Sequence, residues 1–101
     1  MKVHTEAVSF KADQKLIDFI EAKLNKMDRY FDRIIEARMT LKLENSGQVK
    51  DKIAELSVSV PGDTLFVKGS AKTFESSVDN AASVMRRQLI RHKDRLRRKV
   101  D

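Results

Sequence analysis

Residues 35–71 read IEARMTLKLENSGQVKDKIAELSVSVPGDTLFVKGSA, and their alternation decides the fold. Ile35, Ala37, Met39, Leu41 and Leu43 fall on one side of an extended chain, and Glu36, Arg38, Thr40, Lys42 and Glu44 on the other. That period of two marks a strand with one face buried. After a turn cluster at Glu44-Asn45-Ser46-Gly47-Gln48, the apolar set resumes as Ala54, Leu56, Val58 and Val60, against Glu55, Ser57 and Ser59. Pro61-Gly62-Asp63 stops the run, because proline cannot donate to a ladder and glycine turns the chain. Leu65, Val67, Gly69 and Ala71 then continue the pattern. Three such segments joined by short turns make an antiparallel meander with one wet face.

On both sides of the meander the period changes. Upstream, Leu16, Ile20, Leu24, Met27 and Phe31 recur in steps of three and four behind Asp13, a plausible N-cap, with Ile17 beside them. This predicts an amphipathic helix ending near Tyr30. Downstream, Phe74, Val78, Ala81, Ala82, Met85, Leu89 and Leu96 mark one face of a second helix over about six turns, and His92 shares that face. Thr73 is its expected N-cap, and Glu75 in the first turn suits the helix dipole. Val3, Thr5 and Ala7 suggest a short opening strand. The order β-α-β-β-β-α implies an α/β (α+β) two-layer sandwich, a four-stranded sheet with both helices on one face. A right-handed crossover would make the first two strands parallel, and exposed edge strands leave dimerisation open.

Composition narrows the function. The chain has 101 residues, 41% of them hydrophobic and 36% charged, with no Cys and no Trp. This is one domain, residues 1–101, whose apolar residues are needed for a single core. Without Cys there is no disulfide, thiolate metal site or cysteine nucleophile. No stretch is apolar enough for a signal peptide or a membrane span, so we expect a soluble, cytoplasmic protein. Of the two histidines, His4 has no evident partner, and His92 sits on the helix seam, where packing is a better role than general-base catalysis. There is no Gly-rich phosphate loop, paired-histidine motif or nucleophile elbow. We therefore expect a binding protein rather than an enzyme, with no cofactor, no metal and no small-molecule substrate.

Charge then points to the partner. The net charge is +6, and residues 86–101 hold eight bases against two acids, so the whole excess lies in the last 16 residues. Arg87, Arg91, Arg95 and Arg98 follow at steps of four, four and three, a ridge about 16 Å long along one flank of the second helix. Arg86, Lys93 and Arg97 form another row across the apolar seam. On the first helix Lys15, Lys23, Lys26 and Arg29 share one shoulder, while Asp18, Glu21, Asn25 and Asp28 take the other. Sorting of this kind suggests that the basic shoulder meets something anionic. Arginine predominates in the last segment, and its guanidinium fork suits phosphate. Three other readings stand beside nucleic-acid binding: dipole compensation with solubility, an anionic membrane surface, and a general double-stranded RNA module.

Two strings carry a family resemblance. KLNKMDRYFDRI, from Lys23 to Ile34, and RRQLIRHKDRL, from Arg86 to Leu96, resemble the corresponding helices of the ribosome hibernation promoting factor and protein Y family, also labelled sigma-54 modulation proteins. The second string is the more specific. The similarity spans essentially the whole chain and implies binding to the small ribosomal subunit between head and body, where tRNA and mRNA sit, with translation silenced in stationary phase or stress. Carried over by position, Lys23, Lys26, Arg29, Arg87, Arg91, Lys93 and Arg95 would contact 16S rRNA, and the charge pattern adds Arg86 and Arg98. Phe74 stands where the family has a tyrosine, and Val84 where a base is common. Ending at Asp101, the chain resembles the short form, which implies cooperation with a separate ribosome modulation factor in bacteria that have one.

Overall fold

The protein, described by a computed structural model over residues 1–46 and 49–100, begins with β1 (Lys2–Ala7) and α1 (Gln14–Asn25), which a single 3₁₀ turn (Lys26–Arg29) extends. There follow β2 (Glu36–Ser46), β3 (Val49–Val60), β4 (Asp63–Ala71) and α2 (Phe74–Val100). The strands lie side by side in chain order, with β1 parallel to β2 and the other neighbours antiparallel. This is the expected two-layer sandwich. The centre of the first expected turn, Gly47 and Gln48, lies outside the described residues, as does Asp101.

Local sequence explains where each element starts. Asp13 caps α1, its Oδ1 accepting from the Leu16 amide at 2.8 Å, and Thr73 caps α2, its Oγ1 accepting from the Ser76 amide at 3.1 Å. Each cap satisfies an amide that the helix itself leaves without a partner. Between β3 and β4, Gly62 takes a φ of 80°, a left-handed value that favours glycine after Pro61. The apolar faces then meet in one core. Ile20 and Leu24 of α1, and Met85 and Leu89 of α2, close over Met39, Leu41, Leu56 and Val58 of the sheet, all fully buried. Burying a side chain of this size stabilises by about 1.5–3 kcal/mol relative to leaving it exposed.

The seating of α2 is closer than side-chain packing alone would allow. A Cβ on Gly69 of β4 would collide with the Ser77 carbonyl oxygen and stand 2.9 Å from the Ala81 nitrogen. Helix backbone therefore rests directly on strand backbone. Ser77, fully buried at this contact, donates its hydroxyl to the Lys52 carbonyl of β3 or to the Thr73 carbonyl, 2.9 Å away. At the start of the helix the Phe74 ring stacks on Phe10, with centroids 5.0 Å apart.

Three positions depart from simple alternation. Ile35 and Leu43, expected on the buried face, are 56% and 55% exposed. Ile35 precedes β2, where the chain is not yet a regular strand, and Ile34 turns into the core instead. Leu43 lies beyond the end of β1, whose last partner is Leu41. Conversely, Ile53 occupies the wet face but is buried. Its same-face neighbours Asp51 and Glu55 are tied to Lys72 and Lys42 at 2.9 and 2.7 Å, and these ion pairs flank it.

Replacing Gly69 by Ala should lower stability by about 1–3 kcal/mol, the usual cost of overpacking, equivalent to a fall in Tm of roughly 5–20 °C for a domain of this size. Gly62→Ala has open space for its methyl group but a left-handed φ, and should cost about 1–2 kcal/mol. Thermal denaturation followed by circular dichroism measures both. An unchanged Tm for Gly69→Ala would show that α2 does not rest on β4 as closely as described.

Candidate nucleic-acid interface

At about 100° per residue, α2 divides into a core stripe and two flanks. Asp79, Arg86, Lys93 and Arg97 project to one side, and Arg87, Arg91, Arg95 and Arg98 to the other. Contacts fix what each flank faces. Lys23 of α1 places its Nζ 2.9 Å from Asp79 Oδ1, and the Arg86 guanidinium lies 4.6 Å from the centroid of the Tyr30 ring. The first flank therefore faces α1 and its 3₁₀ extension. On the second, Asn80 donates to the Ser70 carbonyl of β4 at 3.4 Å.

The nine expected RNA-contacting residues consequently fall into two banks. Lys23 and Arg86 lie at the α1–α2 seam, Lys26 and Arg29 are exposed on the 3₁₀ turn that extends α1, and Lys93 borders the segment around Phe31 and Arg33. Arg87, Arg91, Arg95 and Arg98 occupy the far side of α2, where Arg91, Arg95 and Arg98 border a hollow of about 380 Å³ with Gln88 and Asp94. Between the banks run Ile90, 40% exposed, and Asp94. The Arg86, Lys93 and Arg97 row thus lies on the side of α1 and its extension, while the arginine ridge makes a separate border.

Individual bases differ in how much of their charge is free. Lys23 is the one member of the set in a salt bridge among the described residues, and its ammonium also stands 5.4 Å from the Phe19 centroid. Part of the anion that the sorted charges of α1 anticipate is therefore Asp79 of the same chain. Arg86 is held over Tyr30, a cation–π contact that fixes its position without neutralising it. Lys26 and Arg29 are exposed on the 3₁₀ turn. Charge-pattern reading passed over Arg33, which joins Lys93 and Arg97 around a hollow of about 230 Å³ floored by Phe31 and Leu96. Arg33 follows the helix in irregular chain, where no periodicity could assign it a side.

Three acids of the sheet, by contrast, are paired with bases. Glu36 lies 3.0 Å from Arg38 and 3.5 Å from His4, and Glu55 pairs with Lys42. Lys72, hydrogen-bonded to Asp51, holds that carboxyl below the ordinary carboxylate range, and Ser70 assists. The wet face of the sheet is locally balanced, whereas the helix layer carries eight of the nine expected bases without a salt bridge to a described carboxylate. An unbalanced field of this kind attracts anions.

His92 is packed, as its place on the seam suggests: it is 8% exposed and its ring centroid lies 5.4 Å from that of Phe31. Among the described residues no group of three or more His, Asp or Glu is arranged to hold a metal ion, and no helix is long and apolar enough to cross a membrane.

Known proteins share both sequence and fold. The family model described as sigma 54 modulation protein / S30EA ribosomal protein matches residues 3–97. The ribosome hibernation promoting factor of Klebsiella oxytoca is 31% identical over 80 residues, which cover 79% of this chain and 80% of that protein. The ribosome hibernation promotion factor of Deinococcus radiodurans is 30% identical over 80 residues, 77% of this chain but only 41% of that protein. Among solved structures, the N-terminal domain of Thermus thermophilus Protein Y superposes with a TM-score of 0.78 at 25% identity, covering 91% of this chain and 99% of that one. The chain therefore belongs to the sigma 54 modulation protein / S30EA ribosomal protein family.

Proposed function

We infer that this chain is a ribosome-associated inhibitor of translation. It docks its helix layer on 16S rRNA of the small subunit, in the channel that tRNA and mRNA use, and holds ribosomes in hibernation during stress or stationary phase. The observation that carries the reading is the set of bases on the outer surface of α2 and the 3₁₀ turn that form no salt bridge to a described residue, set against a sheet face on which Glu36, Asp51 and Glu55 are each paired with a base. Relatives named for ribosome hibernation support the choice of partner. The mechanism is steric occlusion. The core fixes two helices as a rigid layer, guanidinium and ammonium groups bind phosphates and release counterions, and the body of the domain fills space that the decoding ligands need. No covalent step is involved, and specificity comes from matching two rows of cations to a folded backbone rather than from reading base edges.

Three results are expected. First, binding to purified small subunits should weaken linearly in log–log form with salt, with a slope of about −0.7 to −0.9 per phosphate contact; a flat dependence would contradict docking through phosphates. Second, the Arg87→Ala, Arg91→Ala, Arg95→Ala triple variant should bind weakly and spare cell-free translation while keeping its Tm, because all three side chains are exposed. Full inhibition by that variant would remove the ridge from the interface. Third, Asp79→Asn releases Lys23 and deletes a carboxylate from the seam, so it should tighten binding about two- to fivefold, the scale of one exposed ion pair. Weaker binding would show that the Lys23–Asp79 pair is itself part of the docking geometry.

A further inference from the structure

β4 forms one edge of the sheet, and its outward backbone groups find partners within the chain only towards its two ends. At one end the Thr64 amide donates to Asp63 Oδ1 at 2.7 Å, and at the other the Ser70 carbonyl accepts from Asn80 at 3.4 Å. Both groups point away from β3. Outward-pointing residues alternate along an antiparallel strand, so the amides and carbonyls of Phe66 and Lys68 point outward too. Among the described residues no hydrogen bond from outside the sheet reaches them. The Phe66 ring, 57% exposed, lies on the wet face opposite Ser57, which is too small to cover it. An edge with free backbone groups and an exposed aromatic side chain is a template for one more strand.

The helix beside this edge selects the strand. Asn80 stands at Ser70, and His92 and Arg95 share a hollow with Asp63, so α2 runs back along β4. Arg87 and Arg91, exposed on the same flank as Asn80, fall between those two points, beside the free stretch of the strand. Neither is in a salt bridge to a described residue. A second copy paired edge to edge would set two such flanks against each other, arginine facing arginine across the twofold axis. A phosphate backbone offers acceptors for the two amides and leaves the two carbonyls without donors. An extended polypeptide supplies both, and carboxylates on its helix-facing side match the guanidinium forks. We propose that the β4 edge takes up an extended acidic segment of another protein as a fifth strand. Its backbone pairs with Phe66 and Lys68, and its carboxylates pair with Arg87 and Arg91. Alternate side chains of that segment fall on the wet face, where an apolar one covers Phe66. This site does not depend on the ribosome as a partner.

The probe is a capped peptide of about seven residues, an ordinary strand length, in which Glu alternates with Val. It is titrated into the ¹⁵N-labelled protein while amide hydrogen exchange is followed residue by residue. Saturable binding is expected, with exchange at the Phe66 and Lys68 amides slowed about tenfold or more as they pair. Two control peptides separate strand addition from charge attraction. One carries Lys in place of Glu; the other is the acidic peptide N-methylated at each amide, which keeps its charge but has no donor. Both should leave exchange at Phe66 and Lys68 unchanged. Phe66→Pro removes an outward donor without taking a bond from the β3–β4 ladder, and should abolish pairing. Arg87→Gln/Arg91→Gln should weaken binding of the acidic peptide about tenfold or more, the scale of a lost charge-assisted hydrogen bond. In the wild-type protein, absence of saturable binding, binding without slowed exchange at Phe66 and Lys68, or equal binding of the N-methylated peptide overturns the fifth strand. Protection of the same amides in concentrated protein without peptide, together with a doubled mass, would put a second copy at the edge and overturn it as well.

Discussion

A missing side chain at Gly69 lets the backbone of α2 lie on the backbone of β4, and the position of every base on α2 follows from that contact. Buried Ser77 fastens the same contact through the Lys52 carbonyl. With the helix fixed there, its core stripe must face the sheet, its Arg86 row must face α1, and its arginine ridge must face outward. A 27-residue helix is about 40 Å long, more than nine residues of strand can match, so its basic end runs on towards the β3–β4 turn. The cationic surface is thus positioned by packing at the other end of the helix, where there is almost no charge.

Charge is managed differently in the two layers. On the sheet, Glu36, Asp51 and Glu55 each have a basic partner, and the Lys42–Glu55 and Lys72–Asp51 pairs flank the buried Ile53. On the helices, repulsion among the bases is left largely uncompensated, a state that costs stability and that an external polyanion would relieve. Lys23 is the exception, and its pairing with Asp79 joins α1 to α2 across the seam. The same division explains why a short chain can keep an unbalanced surface. The core of leucine, isoleucine, valine and methionine residues holds the sandwich together without drawing on the exposed charges.

Much of the fold was legible because it depends on local rules. Period two gave β2, β3 and β4; period 3.6 gave α1 and α2; and Asp13, Thr73 and the Pro61–Gly62 pair act where capping and turn chemistry place them. Ile35, Leu43 and Ile53 were not legible, because burial depends on what lies over a residue as well as on its parity. The candidate interface divides in the same way. A helical wheel sorts bases by side but cannot see the neighbouring helix, so it identifies Lys23 and Arg86 without showing that Asp79 and Tyr30 hold them. Arg33 escaped because irregular chain has no period to assign it a side.

The central claim is that the helix layer, not the sheet, meets the ribosome, and lysine reactivity distinguishes the two directly. Lys26 and Lys93 are exposed on the helix side, and Lys42 and Lys68 on the wet face of the sheet. Acetylation of the protein free and bound to purified small subunits, read residue by residue by mass spectrometry, should show Lys26 and Lys93 protected on binding and Lys42 and Lys68 still reactive. Protection of Lys42 and Lys68 with Lys26 and Lys93 unchanged would contradict it.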